Sequence, residues 1–546
     1  MNSWRLLIYL VGAQSRCALR CAARKNGRAQ QVCAPTFAPT LCLRRSWLAL
    51  VGLFASASFA VTTANPIHVV LVGDSTVTDL SGWGLGFRQF AGDGLKVSNA
   101  ARNGASSKSY RDDGLWEHAL ALKGDYYLIQ FGHNDQPGKG PARETDPTTT
   151  YTENLVRFVD EVRAQGAQPV LVTSLVRRTF SKENPARLVS AHVPYVEAVK
   201  AVAAAKGVPL LDLHARSLAF CETLGPDQTA TFNFPDAAGK NDTTHLDARG
   251  SAAFARLVVE ELRSLVPALA PALRHEPQAA KLTDISYGTA AGEKLLLDVS
   301  VPAGEGPFPV AILVHGGGWS GGDKATLDGG AGIGAWFGPL TAAKYTWFSI
   351  NYRLAPQHRW PACLDDVQTA IRWVKTNAAK FNGDPARIVL FGHSAGGHLV
   401  CQAATAVDDS VRVQAVVGFA PVTNHEQELP VRGGLSASLQ NLLNRPREIT
   451  PESLGLLRAI SPLNHVRPGL PPFLLIHGDA DRTVPIQQSH DFQAKLRASG
   501  VTCDLIVLPG AGHRLGEWQH AAPGYEARYL EWLDQQLQPV ADTARP

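Results

Sequence analysis

The 546-residue sequence predicts two α/β domains in tandem. Three observations carry the prediction. Short apolar strands alternate with amphipathic helices from residue 65 to 266, and the order restarts after a Pro/Ala-rich stretch. The chain is too long for one hydrophobic core. Each half also places reactive side chains directly after its apolar strands, where parallel sheets keep their sites.

Composition is that of a folded protein, 45% hydrophobic and 18% charged. The formal charge of +4 hides an asymmetry. Eight of the 52 Lys and Arg residues, and none of the 48 Asp and Glu, fall in residues 1–60, so the remainder holds 44 basic against 48 acidic residues. That balance argues against a nucleic-acid surface. In residues 1–60, Arg44-Arg45 precede the apolar run Trp47–Phe54 and small residues ending Ser58-Phe59-Ala60. This pattern predicts a targeting region cleaved near Ala60 and export to the periplasm or medium. The run is too short for stable membrane insertion. Cys221, Cys363, Cys401 and Cys503 lie downstream, widely spaced and without a C-x-x-C, so neither a disulfide scaffold nor a zinc site is indicated.

In the first half, residues 65–266, Ile67–Val72 reads as a buried strand running into Gly73-Asp74-Ser75-Thr76. Val97-Ser98-Asn99, Tyr126–Phe131, Pro169–Thr173 and Pro209–Asp212 read as further strands. From Glu153 to Gln165, Leu155, Val156, Val159 and Val162 line one helical face, and Gly166 supplies the stop. Ala252–Leu265 reads as the closing helix. This alternation implies a parallel three-layer α/β/α sheet. Ser75, Asn103-Gly104, Asn134 and Asp242-Thr243-Thr244-His245 fall at strand ends or before the last helix. Together they offer a nucleophile, a closely approachable N–H, a side-chain amide and a D-x-x-H whose carboxylate can orient a basic imidazole.

The blocks G-D-S-T, N-G-A-S-S-K-S-Y, F-G-H-N-D and D-T-T-H resemble those of the SGNH hydrolases, a flavodoxin-like fold. Gly82-Trp83-Gly84, the S-K-S-Y ending at Tyr110 and the run Thr173–Arg178 make this half similar to the rhamnogalacturonan acetylesterases among them. The resemblance implies Ser75 as nucleophile, His245 as base and Asp242 as its orienting acid. It also implies an oxyanion site from the N–H groups of Ser75 and Gly104 and the amide of Asn134. Asp74 and Asp135 read as structural hydrogen-bonders. His133 reads equally as a packed ring or a substrate contact, and Trp83 as core. Arg177-Arg178 reads as a solvated face, or as a pair that meets acidic sugars.

Residues 267–281, beginning Pro267-Ala268-Leu269-Ala270-Pro271, read as a short semi-stiff linker. Residues 282–540 then form the second domain. Leu295–Val301, Pro309–Val314, Tyr345–Ile350, Ile388–Phe391, Phe473–Ile476 and Leu505–Leu508 read as strands, and Asp365–Thr376 as a helix. Pro309–Val314 feeds His315-Gly316-Gly317-Gly318-Trp319, whose free N–H groups suit an anion. Ile388–Phe391 feeds Gly392-His393-Ser394-Ala395-Gly396, a G-x-S-x-G turn in which a Cβ on either glycine would strike a neighbouring strand or helix. Asp479, Asp481 and His513 follow in the order that a Ser, Asp, His triad of the α/β-hydrolases requires.

From about Lys281 to Leu537 the sequence resembles the H-G-G-G-W esterases of the α/β-hydrolase superfamily, near the bacterial feruloyl and acetyl esterases. The resemblance implies Ser394 as nucleophile, Asp481 rather than Asp479 as acid, and His513 as base. Gly316, Gly317 and Ala395 would donate to the oxyanion. His315, His393 and His398 read as structural. The polar insert from Asn424 to Pro471 is expected to cap the site and set substrate choice.

The favoured reading is an exported serine carboxylic ester hydrolase of acetylesterase type with two active sites. Its partner is acylated plant polysaccharide or oligosaccharide, and it needs no cofactor or metal. Two alternatives stand beside it. One domain could be catalytic and the other a glycan-binding module, or the chain could be a general carboxylesterase or peptidase-like hydrolase. No β-propeller repeat precedes the second half to support a dipeptidyl-peptidase plan.

Overall fold

The computed structural model describes residues 65–235, 241–325, 334–427 and 429–538. The expected targeting region, residues 1–60, lies outside the described residues. In the first half, β1 (Ile67–Gly73), β2 (Leu95–Asn99), β3 (Tyr126–Gln130), β4 (Gln168–Val172) and β5 (Leu210–Leu211) form a wholly parallel sheet in the order β2-β1-β3-β4-β5. Both faces are buried. Val69 and Leu71 point to one apolar layer and Val70 and Val72 to the other, which explains the unbroken apolar run. The last predicted strand of this half, Pro209–Asp212, shrinks to two residues, because Asp212 turns its carboxylate onto the Ala215 N–H and caps the next helix.

The helix Thr150–Ala164 buries Leu155, Val159 and Val162 as its periodicity demands, with Tyr151 and Phe158 added to the same face. At its end Gly166 adopts φ +78°, and Ala167 N–H returns to the Val162 carbonyl oxygen. The closing helix spans Ala248–Leu265, one turn earlier than its apolar pattern shows, because Asp247 caps it through the Gly250 N–H at 2.7 Å.

One short feature was not legible. β6 (Asn233–Pro235) and β7 (Asn241–Leu246) pair antiparallel, and β7 carries Asp242 and His245. The D-x-x-H therefore sits on an irregular strand beside the main sheet rather than on a simple turn.

In the second half β8 (Ala280–Ala290), β9 (Glu293–Val301), β10 (Phe308–Val314), β11 (Thr346–Ile350), β12 (Gly383–His393), β13 (Ala415–Phe419), β14 (Phe473–Gly478) and β15 (Cys503–Leu508) form one sheet. Its order is β15-β14-β13-β12-β10-β11-β9-β8, with β8 and β9 antiparallel at one edge. β8 and β13 have no counterpart among the predicted strands. β8 alternates buried and exposed residues as an edge strand and so lacks a continuous apolar run, whereas β13 is a five-residue buried run in the middle of the sheet.

The connecting segment is packed rather than free. Pro267–Ala272 forms a 3-10 helix whose Leu269, with Leu273 beyond it, is buried in the core of the first half. Gln278 N–H donates to the Gln89 carbonyl oxygen at 2.9 Å, and the Gln89 amide reaches the Pro302 carbonyl oxygen at 3.3 Å. Leu85 and Ala248 of the first half join the main core of the second. The two sheets thus belong to one packed body. All four described cysteines are buried and free, and no helix among the described residues is long and apolar enough to cross a membrane.

Candidate active sites

The strand order places the first site. β1 lies between β2 and β3, so chain direction around the sheet reverses there, and the loops leaving these carboxyl ends diverge to leave a crevice. Ser75 follows β1, Gly104 follows β2 and Asn134 follows β3, and all three line one cavity with Asp242 and His245. His245 Nε2 lies 2.8 Å from Ser75 Oγ, and its Nδ1 lies 2.5 Å from Asp242 Oδ2. Asp242 Oδ1 also accepts the N–H groups of Thr244 and His245. Burial raises the pKa of Asp242, but the His245 hydrogen bond and those two N–H donors outweigh it and hold the carboxyl below its ordinary value.

The Ser75 loop is braced from behind. Asp74 is fully buried and accepts both the N–H and the hydroxyl of Thr76. Trp83, also fully buried, donates to Gln130, whose amide donates to Thr76 Oγ1 at 2.7 Å. The N–H groups of Ser75 and Gly104 meet no acceptor among the described residues. Both residues line the cavity, so these two N–H groups fit donors kept for an oxyanion. Asn134 donates one amide hydrogen to the Ala105 carbonyl oxygen at 3.0 Å, leaving the other for a ligand.

The second site is built on the turn after β12. Ser394 sits at φ +54°, ψ −117°, a conformation that costs about 1–3 kcal/mol and persists only where the surroundings enforce it. They do so through the flanking glycines. A Cβ on Gly396 would lie 2.2 Å from the Val314 carbonyl oxygen, and one on Gly392 would lie 2.3 Å from that of Gly396. β10 and the helix Ala395–Ala404 therefore close on the turn from both sides. His513 Nε2 lies 2.9 Å from Ser394 Oγ and its Nδ1 lies 2.6 Å from Asp481 Oδ2.

Asp481 Oδ1 takes the N–H groups of Thr483 and Val484. Burial works against its charge, but hydrogen bonding toward His477 and His513 and from Val484 holds its pKa well below the usual carboxylate range. Asp479 instead accepts the Gly510 N–H at 2.6 Å and so braces the loop that carries His513. The N–H groups of Gly316 and Gly317 have no acceptor among the described residues. Gly316 is close to the nucleophile: a Cβ on it would come within 3.4 Å of Ser394 Cβ. The Ala395 N–H opens the helix and is left over by its geometry.

The remaining side chains sort themselves by burial. His133 is packed, its ring 4.2 Å from that of His192. Asp135 is fully buried and accepts from Ser107 and Thr145. His315 bonds the Gly316 carbonyl oxygen and stacks on Tyr352, bracing its glycine loop. His393 and His398 bond the carbonyl oxygens of His513 and Ile460. The insert from Asn424 caps Ser394, with Leu429 and Leu439 on the cavity wall.

Arg178 corrects the solvated reading of the arginine pair. It is 3% exposed, and its guanidinium donates to the carbonyl oxygens of Asp242, Thr244 and His245. A long-range contact of this kind leaves no mark in the sequence around Arg178.

Fold and site geometry define a class: the protein is a serine-type carboxylic ester hydrolase with an α/β sheet in each half. Residues 71–253 match the GDSL-like lipase/acylhydrolase family and residues 297–496 match BD-FAE. The rhamnogalacturonan acetylesterase RhgT of Bacillus subtilis (strain 168) is 38% identical over 222 residues, which cover 37% of this chain and 91% of that protein. The probable rhamnogalacturonan acetylesterase YesY of the same organism is 34% identical, over 36% of this chain and 93% of that protein. The esterase LipC of Mycobacterium tuberculosis (strain ATCC 25618 / H37Rv) is 37% identical over 38% of this chain, a match that spans only 53% of LipC. The chain belongs, through its first half, to the GDSL-like lipase/acylhydrolase family, with rhamnogalacturonan acetylesterase homologues, and carries a BD-FAE domain in its second half.

Proposed function

We propose that the protein is an exported, bifunctional carbohydrate esterase that removes acyl groups from plant cell-wall polysaccharide, pectic rhamnogalacturonan or xylan. One observation carries this reading: two separate Ser-His-Asp chains, each linked within 2.9 Å and each with its serine on the wall of its own cavity. At each site the serine Oγ attacks the ester carbonyl carbon while the imidazole Nε2 takes its proton. The oxyanion lies among the N–H donors named above. The intermediate collapses, and the sugar hydroxyl leaves with the proton from histidine. Water then repeats the steps on the acyl-serine, releasing carboxylate and restoring the proton to Oγ.

The cavities differ, which supports a division of labour. The Ser75 cleft encloses about 740 Å³, room for part of a sugar chain, and Phe234 and Leu80 offer apolar surface to sugar faces. The Ser394 cavity is smaller, about 170 Å³, and is walled by the capping insert through Leu429 and Leu439. The resemblance of the first half to rhamnogalacturonan acetylesterases supplies the substrate class, and the residues supply the chemistry.

The test is acetate release from acetylated rhamnogalacturonan and acetylated xylan by the wild type, Ser75→Ala, Ser394→Ala and the double variant. Each single variant should lose release from one polymer or position, and the double variant all of it. If either single variant abolished every release, the two-site reading would fall. If the wild type released no acetate from either polymer, the polysaccharide reading would fall.

A further inference from the structure

The cleft around Ser75 is not built by the first half alone. Thr376, Ala379 and Lys380 of the second half line the same cavity as Ser75 and His245. They stand on the end of the helix Ala362–Asn377 and on the 3-10 turn Ala378–Phe381 that follows it. This wall is rigidly based. Ala378 and Phe381 are buried in the second core, and the turn packs on the helix Ala248–Leu265 of the first half.

The charges facing the cleft are uneven. Lys380 Nζ is held by Asn377 Oδ1 at 2.8 Å and pairs with no carboxylate among the described residues. Asp242, the carboxylate on the cavity wall, is committed to His245 and to two backbone N–H groups. By Gly104 stands a second cation. Arg143 Nη1 lies 3.7 Å from where a Cβ on Gly104 would be, and its own bond goes to the Lys139 carbonyl oxygen, not to an acid. With Lys380 on its wall and Arg143 close to Gly104, the cleft sets two cations against the single hydrogen-bonded carboxylate of Asp242 and so attracts an anion.

We propose that Lys380 is a subsite of the Ser75 cleft, supplied by the second half, which binds the carboxylate of a uronate sugar in the substrate chain. This rests on the polysaccharide reading of the Ser75 site and adds its specificity for acidic polymer. It gives the fusion a structural role beyond joining two esterases, since the second domain is a wall of the first domain's cleft. Lys380 acts on binding, by holding the chain so that a neighbouring acetyl ester reaches Ser75.

The experiment uses the full chain with Ser394→Ala, so that acetate release reports the Ser75 site. kcat and KM are measured on acetylated rhamnogalacturonan oligosaccharides and on p-nitrophenyl acetate, with Lys380 intact or changed to Ala, Arg or Glu. Lys380→Ala should raise KM for the acidic oligosaccharide roughly fivefold, the scale of a partly exposed ion pair, and lower its kcat/KM relative to the neutral ester by the same factor. Lys380→Arg should recover most of it, Lys380→Glu should worsen it, and added salt should shrink the differences. An unchanged ratio of kcat/KM between the two substrates in Lys380→Ala would overturn the subsite. A parent protein that cleaves p-nitrophenyl acetate but no acidic oligosaccharide would overturn the polysaccharide reading itself, and the subsite with it.

Discussion

Arg178 donates from its guanidinium to the backbone carbonyl oxygen of His245, 67 residues away. The same group reaches the Asp242 and Thr244 carbonyl oxygens and, at 2.6 Å, Asn233 Oδ1. One buried side chain therefore fixes the strand on which the acid and base of the first site stand. Burial lowers its pKa to about 10, so it keeps its charge at neutral pH.

Removing that clamp should loosen the imidazole without removing it. Arg178→Met is expected to lower kcat at the Ser75 site by about 10²-fold, the scale of a small misplacement of a reacting group. Arg178→Lys should restore only part, since an ammonium lacks the planar fork that reaches several oxygens. Hydrolysis of p-nitrophenyl acetate in Ser394→Ala and Ser75→Ala backgrounds separates the sites. Equal losses in both backgrounds would count against a local clamp.

The Ser394 turn should be intolerant of the smallest side chain. Gly396→Ala puts a methyl 2.2 Å from the Val314 carbonyl oxygen and 2.5 Å from that of His315. Those are backbone atoms leading into Gly316 and Gly317, so relief must move the candidate oxyanion loop. The variant should lose about 1–3 kcal/mol of stability, read as a fall in Tm, together with its Ser394 activity. A variant with unchanged Tm and full activity would contradict the geometry.

The two aspartates after β14 should separate cleanly in function. Asp481→Ala leaves the His513 imidazole without its partner and should cost the Ser394 site about 10³-fold or more in kcat. Asp479→Ala loses a bond to the Gly510 N–H and should cost far less, mostly in stability. Measured rates for the pair, taken with Ser75→Ala, decide between them. A reversed order would move the acid to Asp479.

Acid stability follows from the same carboxylates. Asp242 and Asp481 are both held below their ordinary value of 3.8 in the fold. Such groups contribute stability that is complete above the unfolded pKa and is lost as pH falls through the folded one. Tm should therefore decline below about pH 4, and Asp481→Asn should flatten that decline because its term no longer titrates. Parallel Tm profiles for wild type and Asp481→Asn between about pH 2 and 5 would refute the linkage.

Much of the chemistry was legible because it is local. A buried strand, a tight turn and a helix follow one another within a dozen residues around Ser394, and the glycines there report a steric demand that the backbone confirms. Ser75, Gly104 and Asn134 were likewise found as polar points after apolar runs. β8 and β13 leave weak marks in the sequence for opposite reasons, one being an alternating edge strand and the other a short central run with no reactive residue beside it.

The sequence by itself determined two α/β sheets and the side chains that could carry ester hydrolysis, because strand burial, turn sterics and residue type act over short stretches of chain. Only the tertiary structure decided that Asp479 braces the loop of His513, that Arg178 is a buried clamp, and that Lys380 borders the cleft of Ser75. Each of these depends on which distant segments pack together and in what register. That outcome is set by the whole core, and no local pattern records it.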